Sequence, residues 1–295
     1  MNFRTNLRKI FLLFFFQIRK GKMMARIISI VNQKGGTGKS ACAANLGAGL
    51  ARKNKKVLIV DADPQSDVSA SFGYRDCDDS DQTLTALMEI SLRDQNIPED
   101  CFIRHQQEGI DIICSNIELA GIEVQLVNAM SREFILKQII NTVKNQYDYI
   151  LIDCMPSLGM ITINALAASD EVLIPVEASY LPIKGLQQLL KTIGKVRRQI
   201  NPTLQISGIL FSLVNARTKD ARDNMDLLHN VYGSQLRIFE SYIPFSVRMK
   251  EAVREGESIF KYEPGGNVAL AFEKDAVPKA DDIPVLKPYL TVEPA

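Results

Sequence analysis

Seven residues, Lys34-Gly35-Gly36-Thr37-Gly38-Lys39-Ser40, bring three glycines, two lysines and two hydroxyls together directly after an apolar run. Glycine tolerates left-handed backbone, so a stretch this rich in it can curl until successive N–H groups converge on one oxyanion. A helix opening at the end of the run adds the positive end of its dipole. Such a combination suits the phosphates of a nucleoside triphosphate. Gly35, Gly36, Thr37, Gly38 and Ala41 border the phosphates, Lys39 reaches the β- and γ-phosphates, and the Ser40 hydroxyl ligates Mg2+. Six positions before Lys39, where a phosphate loop usually has glycine, stands Gln33, and Lys34 opens the loop. A second lysine there either folds back onto its own phosphates or reaches a nucleotide held by a facing subunit.

Triphosphate chemistry also needs carboxylates around the metal ion and the attacking water. The apolar run Val57-Leu58-Ile59-Val60 ends in Asp61-Ala62-Asp63-Pro64-Gln65, with acids at i and i+2. At a strand end that spacing sets both acids near the phosphates, the second projecting beyond the sheet. A second apolar run, Tyr149-Ile150-Leu151-Ile152, ends in Asp153, which reads as the acid that holds Mg2+ through water. Each acid alone fits a helix cap or an exposed turn; with the glycine loop upstream, the three form a set.

The elements that must position these residues alternate between short apolar strands and longer helical stretches, the pattern of a parallel sheet covered on both faces. Strands are expected at Ile27–Val31, Val57–Val60, Ile110–Cys114, Tyr149–Ile152, Glu171–Pro175, Ile206–Leu213 and Arg237–Ile243. Helices are expected from the glycine loop to about Lys53, then at Leu84–Ile90, Ser131–Asn145, 184–199 and 219–231, with 64–83 irregular. No internal repeat interrupts the series, so residues 24–275 read as a single α/β domain, a mostly parallel twisted sheet with helices on both faces.

The 295 residues are 46% apolar and 23% charged, which excludes a disordered or fibrous chain. Arg and Lys number 35 against 34 acids, a formal net charge of +1 that excludes a histone-like polycation. Five cysteines without a CxxC pair and two distant histidines argue against a disulfide framework and a zinc centre. Cys154, beside an apolar strand, reads as an inert buried thiol. Residues 1–23 hold six basic side chains and no acidic one around the apolar run Ile10–Phe16, so without them the charge becomes −5. The run is too short to span a bilayer, which takes about 20 residues. It reads as an upstream extension or disordered arm before Met24, with a membrane-associating arm or a cleaved signal as the alternatives. Residues 276–295 carry four prolines and read as an extended or disordered tail.

The stretch Val31-Asn32-Gln33-Lys34-Gly35-Gly36-Thr37-Gly38-Lys39-Ser40 closely resembles the deviant Walker A motif of the ParA/MinD family of ATPases. That resemblance implies a P-loop NTPase fold, ATP and Mg2+ as ligands, and an ATP-dependent homodimer in which Lys34 crosses to the partner's nucleotide. Asp61-Ala62-Asp63-Pro64-Gln65 resembles the family's DxDPQ segment, which implies that Asp63 orients the attacking water and Asp61 supports the Mg2+ shell. The segment from Asp153 to Gly159 resembles the family's DxPPS stretch, with Met155 in place of the first proline.

Thr162-Ile163-Asn164-Ala165-Leu166, Val172-Leu173-Ile174-Pro175-Val176 and Gly185-Leu186 resemble the partition branch, the ParA/Soj proteins, and the likeness extends from residue 26 to about 272. It implies a cytoplasmic, nucleoid-associated protein that binds double-stranded DNA nonspecifically and answers to a ParB-like partner. Asn215 and Pro244 then border the adenine. Arg217 and Arg248, with Lys219 and Lys250 nearby, then meet DNA, while Phe245 stands where relatives often carry another arginine. Membrane capture is not expected, because the tail lacks a basic amphipathic helix. A MinD-like positioning ATPase and a metabolic P-loop enzyme of the dethiobiotin synthetase type are the alternative readings.

Overall fold

The computed structural model describes residues 25–98, 102–178 and 182–275. The N-terminal arm and the proline-containing tail lie outside the described residues. Among the described residues there are eight strands: β1 (Arg26–Ile30), β2 (Val57–Ala62), β3 (Arg104–Gln106), β4 (Ile110–Ile113), β5 (Tyr149–Cys154), β6 (Glu171–Glu177), β7 (Gln205–Val214) and β8 (Ile238–Pro244). The helices of the first half are α1 (Lys39–Arg52), α2 (Asp67–Ser71), α3 (Leu84–Leu92), α4 (Leu119–Leu126) and α5 (Ile135–Val143). Those of the second are α6 (Met160–Ala168), α7 (Pro182–Gln199), α8 (Lys219–Tyr232), α9 (Val247–Glu255), α10 (Ile259–Tyr262) and α11 (Asn267–Asp275).

The strands form one sheet in the order β3-β4-β2-β5-β1-β6-β7-β8, parallel throughout except for the edge pair β3–β4. Strand residues alternate between two cores, as a pleat covered on both faces requires. Leu58, Val60, Ile150, Ile152, Val172 and Ile174 face a core completed by α3 to α8. Ile28, Ile30, Ile59, Leu151 and Leu173 face the other, which α1, α2 and α9 to α11 close. The helix after the glycine loop lies very close to the sheet: a Cβ on Gly47 of α1 would stand 2.7 Å from Ile59 Cδ1. Any larger residue at that position would make the Ile59 side chain shift.

Parallel strands joined by crossovers bring their C-terminal ends to one edge, and ligands of such sheets bind there. β1, β2 and β5 are adjacent, with Ile30 opposite Asp153 and Asp61 opposite Asp153. The glycine loop and all three acids therefore meet at that edge.

Several elements differ from the sequence expectation. The helix expected over Ser131–Asn145 begins only at Ile135, because Ser131 adopts a left-handed φ of 50° and Phe134 takes the cap position. Residues 64–83 are not wholly irregular, since α2 and a 3-10 turn at Cys77–Asp79 form within them. β3, α4, α6 and α9 to α11 were not anticipated as elements.

Candidate active site

The loop between β1 and α1 is shaped by its glycines. Gly36 and Gly38 adopt φ of 72° and 74°, and Gly38 is the N-cap of α1, with no side-chain cap. Uncapped N–H groups at this helix start are donors for an anion. Two side chains brace the loop through three hydrogen bonds. Asn32 Nδ2 donates to Pro175 O of β6 at 2.7 Å, while its Oδ1 accepts from Lys34 N at 2.9 Å. Ser212 Oγ, at the end of β7, donates to Thr37 O at 2.6 Å.

The two lysines behave differently. Lys39 is buried and its Nζ donates to Lys34 O at 3.4 Å, so its charge lies inside the curl of the loop. The Lys34 side chain is 48% exposed, and its Nζ pairs with Glu177 Oε2 at 3.0 Å. Lys34 and Glu177 line a cleft of 450 Å3 together with Asn32, Thr37, Ser157 and Gln188.

The acids differ in the same way. Asp61 is fully buried and engaged: Oδ2 accepts from Ser69 N at 2.9 Å and Ser69 Oγ at 2.7 Å, and Oδ1 accepts from Asp63 N at 3.3 Å. It thereby ties α2 and the Asp63 turn to the end of β2. Asp63 is 5% exposed, and its Oδ1 accepts from Gln65 N at 3.0 Å. Asp153 is fully buried, and among the described residues neither carboxylate oxygen has a hydrogen-bond partner. Burial raises its carboxyl well above the usual range, and the Asp61 charge pushes it further. The neighbouring Ser40 hydroxyl and Lys39 ammonium oppose that shift. Burial likewise raises Asp61, against the Ser69 hydrogen bonds that lower it. A buried carboxylate beside a hydroxyl at the start of a phosphate loop suits the oxygen ligands that a hydrated divalent cation takes.

Other anticipated residues occupy the same edge of the sheet. Asn215 and Pro244 lie at the ends of adjacent strands, Val214 being opposite Pro244 and Phe245 N donating to Val214 O at 3.0 Å. Arg217 is exposed in the turn before α8, and Arg248 is exposed in the first turn of α9. Arg248 contacts Glu251 at 2.8 Å and Glu263 at 3.7 Å, whereas the Arg217 guanidinium has no ion pair among the described residues. Phe245 is exposed between them in sequence. Cys154 is fully buried, and burial raises its thiol far above the ordinary range.

A family model described as an AAA domain matches residues 25–206. The sporulation initiation inhibitor protein Soj of Bacillus subtilis (strain 168) is 39% identical over 255 residues, covering 85% of this chain and 98% of Soj. The chromosome partitioning protein ParA of Myxococcus xanthus (strain DK1622) is 38% identical over 81% of this chain and 82% of its own length. The chain belongs to the ParA/Soj/MinD family of deviant Walker A P-loop ATPases. Its fold is also that of cobyrinic acid a,c-diamide synthase from Mycobacterium smegmatis with bound ADP and magnesium. That likeness has a TM-score of 0.69 and 31% identity over 83% of this chain and 98% of that one. As a ParA/Soj/MinD member the protein binds ATP and Mg2+ and hydrolyses ATP. No helix among the described residues is long and apolar enough to cross a membrane.

Two residues at this site escaped the sequence reading. Ser69 lies eight positions beyond Asp61, in a stretch read as irregular. Glu177 lies 143 positions from Lys34, past the expected end of its strand. No local pattern links either residue to its partner.

Proposed function

We propose that this protein is a partition ATPase that dimerises on ATP, binds double-stranded DNA nonspecifically as the dimer, and is released when a ParB-like partner stimulates hydrolysis. The observation that carries the reading is the division between the two lysines, one buried within the loop and the other half-exposed on the wall of the cleft. A buried lysine serves its own phosphates. An exposed one beside it can serve the nucleotide of a facing copy.

Mg2+, when bound, screens the triphosphate and holds its oxygens for in-line attack. Ser40 and Asp153 would hold it, and Asp61 would support that arrangement while holding the Asp63 turn. Asp63 orients the attacking water. Lys39 and Lys34 set positive charge against the phosphoryl oxygens as negative charge develops there. The backbone of Gly35 to Ala41 cradles the phosphates, and Asn215 and Pro244 border the adenine. Arg217 and Arg248, with Lys219 and Lys250, meet DNA phosphates, and the two-fold axis of a dimer doubles these few charges. Binding to DNA would place the protein on the nucleoid.

The test is cosedimentation with nonspecific duplex DNA under ATP, ADP and no nucleotide. Retention with ATP alone, falling as salt rises, is the expected result. Retention under no condition, with ATPase activity intact, would refute the reading and favour a metabolic P-loop enzyme or a MinD-like positioning protein.

A further inference from the structure

The Lys34–Glu177 pair has a consequence for assembly, which rests on the proposal that Lys34 acts on a facing subunit. Asn32 fixes the frame of the pair. Its amide nitrogen grips Pro175 O, two residues before Glu177, and its oxygen takes the Lys34 N–H. The two side chains thus leave backbones held in register and meet at 3.0 Å, with exposures of 48% and 33%. An ammonium held by its own subunit's carboxylate must leave it to reach a partner's phosphate. Otherwise it carries that carboxylate toward the phosphates, where like charges repel. Either course opposes assembly.

We propose that Glu177 is a positioning residue that holds Lys34 on its own subunit and so sets the protein concentration at which ATP-dependent dimers form. Two such pairs are given up in each symmetric dimer. Half-exposed ion pairs are weak, so removing both should tighten the dimer about two- to thirtyfold. A threshold of that size tunes assembly without blocking it.

The experiment measures the dimer dissociation constant of the full chain by light scattering with ATP and Mg2+, at low and high salt. It compares the wild type with Glu177→Gln, Glu177→Ala, Lys34→Ala and the Lys34→Ala/Glu177→Gln double variant. Both Glu177 variants should dimerise more tightly than the wild type, and their advantage should shrink at high salt, because exposed pairs are screened. Glu177→Gln should confer no advantage when Lys34 is already alanine. If the Glu177 variants dimerise no more tightly while Lys34→Ala abolishes the dimer, the restraint is disproved and Lys34's role on the facing subunit stands. A Lys34→Ala protein that dimerises like the wild type would overturn that role and the restraint with it.

Discussion

Replacing Asp153 with asparagine should stabilise the nucleotide-free protein at neutral pH while abolishing its ATPase activity. Asp153 and Asp61 lie opposite each other on β5 and β2, both fully buried. Burial raises both carboxyls above their ordinary 3.8, and Asp61 is pushed up to about 7. A carboxyl with a raised native pKa keeps a proton that the unfolded chain has already released. Its contribution to stability is therefore greatest at low pH and is lost as pH rises from the unfolded value through the native one. Each proton involved gives a slope of up to about 1.4 kcal/mol per pH unit. Asparagine at 153 has no proton to lose, so the wild type should lose stability relative to the variant as pH rises above the unfolded carboxyl range. Urea unfolding with a chelator and no nucleotide measures the difference. Added Mg2+ and ATP should narrow the difference, because ligand at a hundredfold its dissociation constant stabilises only the protein that binds it, by about 2.7 kcal/mol. Parallel stability–pH curves for the two proteins would refute the reasoning.

Three further outcomes follow from the same geometry. Ser69→Ala removes the 2.7 Å hydroxyl donor to Asp61 and should cost about 1.5–3 kcal/mol in urea unfolding, with kcat falling more than ATP affinity as the Asp63 turn loosens. An unchanged kcat would show that α2 does not position Asp63. Gly38→Ala forces a side chain onto a φ of 74°, but its Cβ would only touch Ser212 and Leu213 at an ordinary 3.6 Å. Its stability loss should therefore be the backbone strain alone, about 1–2 kcal/mol by calorimetry, and a much larger loss would mean that the loop cannot relax. Arg217→Ala should weaken DNA retention more than Arg248→Ala, because Arg248 is already engaged by Glu251 and Glu263. Equal losses in a salt-titrated shift assay would contradict that ranking.

The glycine loop and the acids were legible because their chemistry is local: each depends on a few consecutive residues at the end of an apolar strand. The parallel sheet was legible for the same reason, since strands buried on both faces read as unbroken apolar runs. α6 was missed because seven of its nine residues are buried, so it carries no polar face and no helical period. α2 was missed because a five-residue helix has little intrinsic stability and is held by the tertiary grip of Asp61 on Ser69. The early end assigned to β6 cut off Glu177, where the strand continues past Pro175. That contact belongs to the three-dimensional frame and has no counterpart in sequence spacing.

The residues at the sheet edge divide by what they do for the fold. Gly47 serves packing: a Cβ there would press on the Ile59 side chain, which would have to shift. Asp153 does the opposite, lying fully buried with no hydrogen-bond partner among the described residues, an arrangement that costs stability. The lysines stand between these cases, for both have found protein oxygens, Lys34 O for Lys39 and Glu177 for Lys34. Bound Mg2+ and triphosphate would reverse each of these local compromises, giving Asp153 a cation shell and the lysines better acceptors than a carbonyl or a half-exposed carboxylate. Ligand affinity here thus comes partly from relieving what the nucleotide-free fold leaves poorly matched. Substitutions that relieve the same mismatch within the protein should stabilise the fold where they weaken the chemistry, as at Asp153. At Glu177 the relief should instead favour assembly, because the group removed competes with the ligand for Lys34.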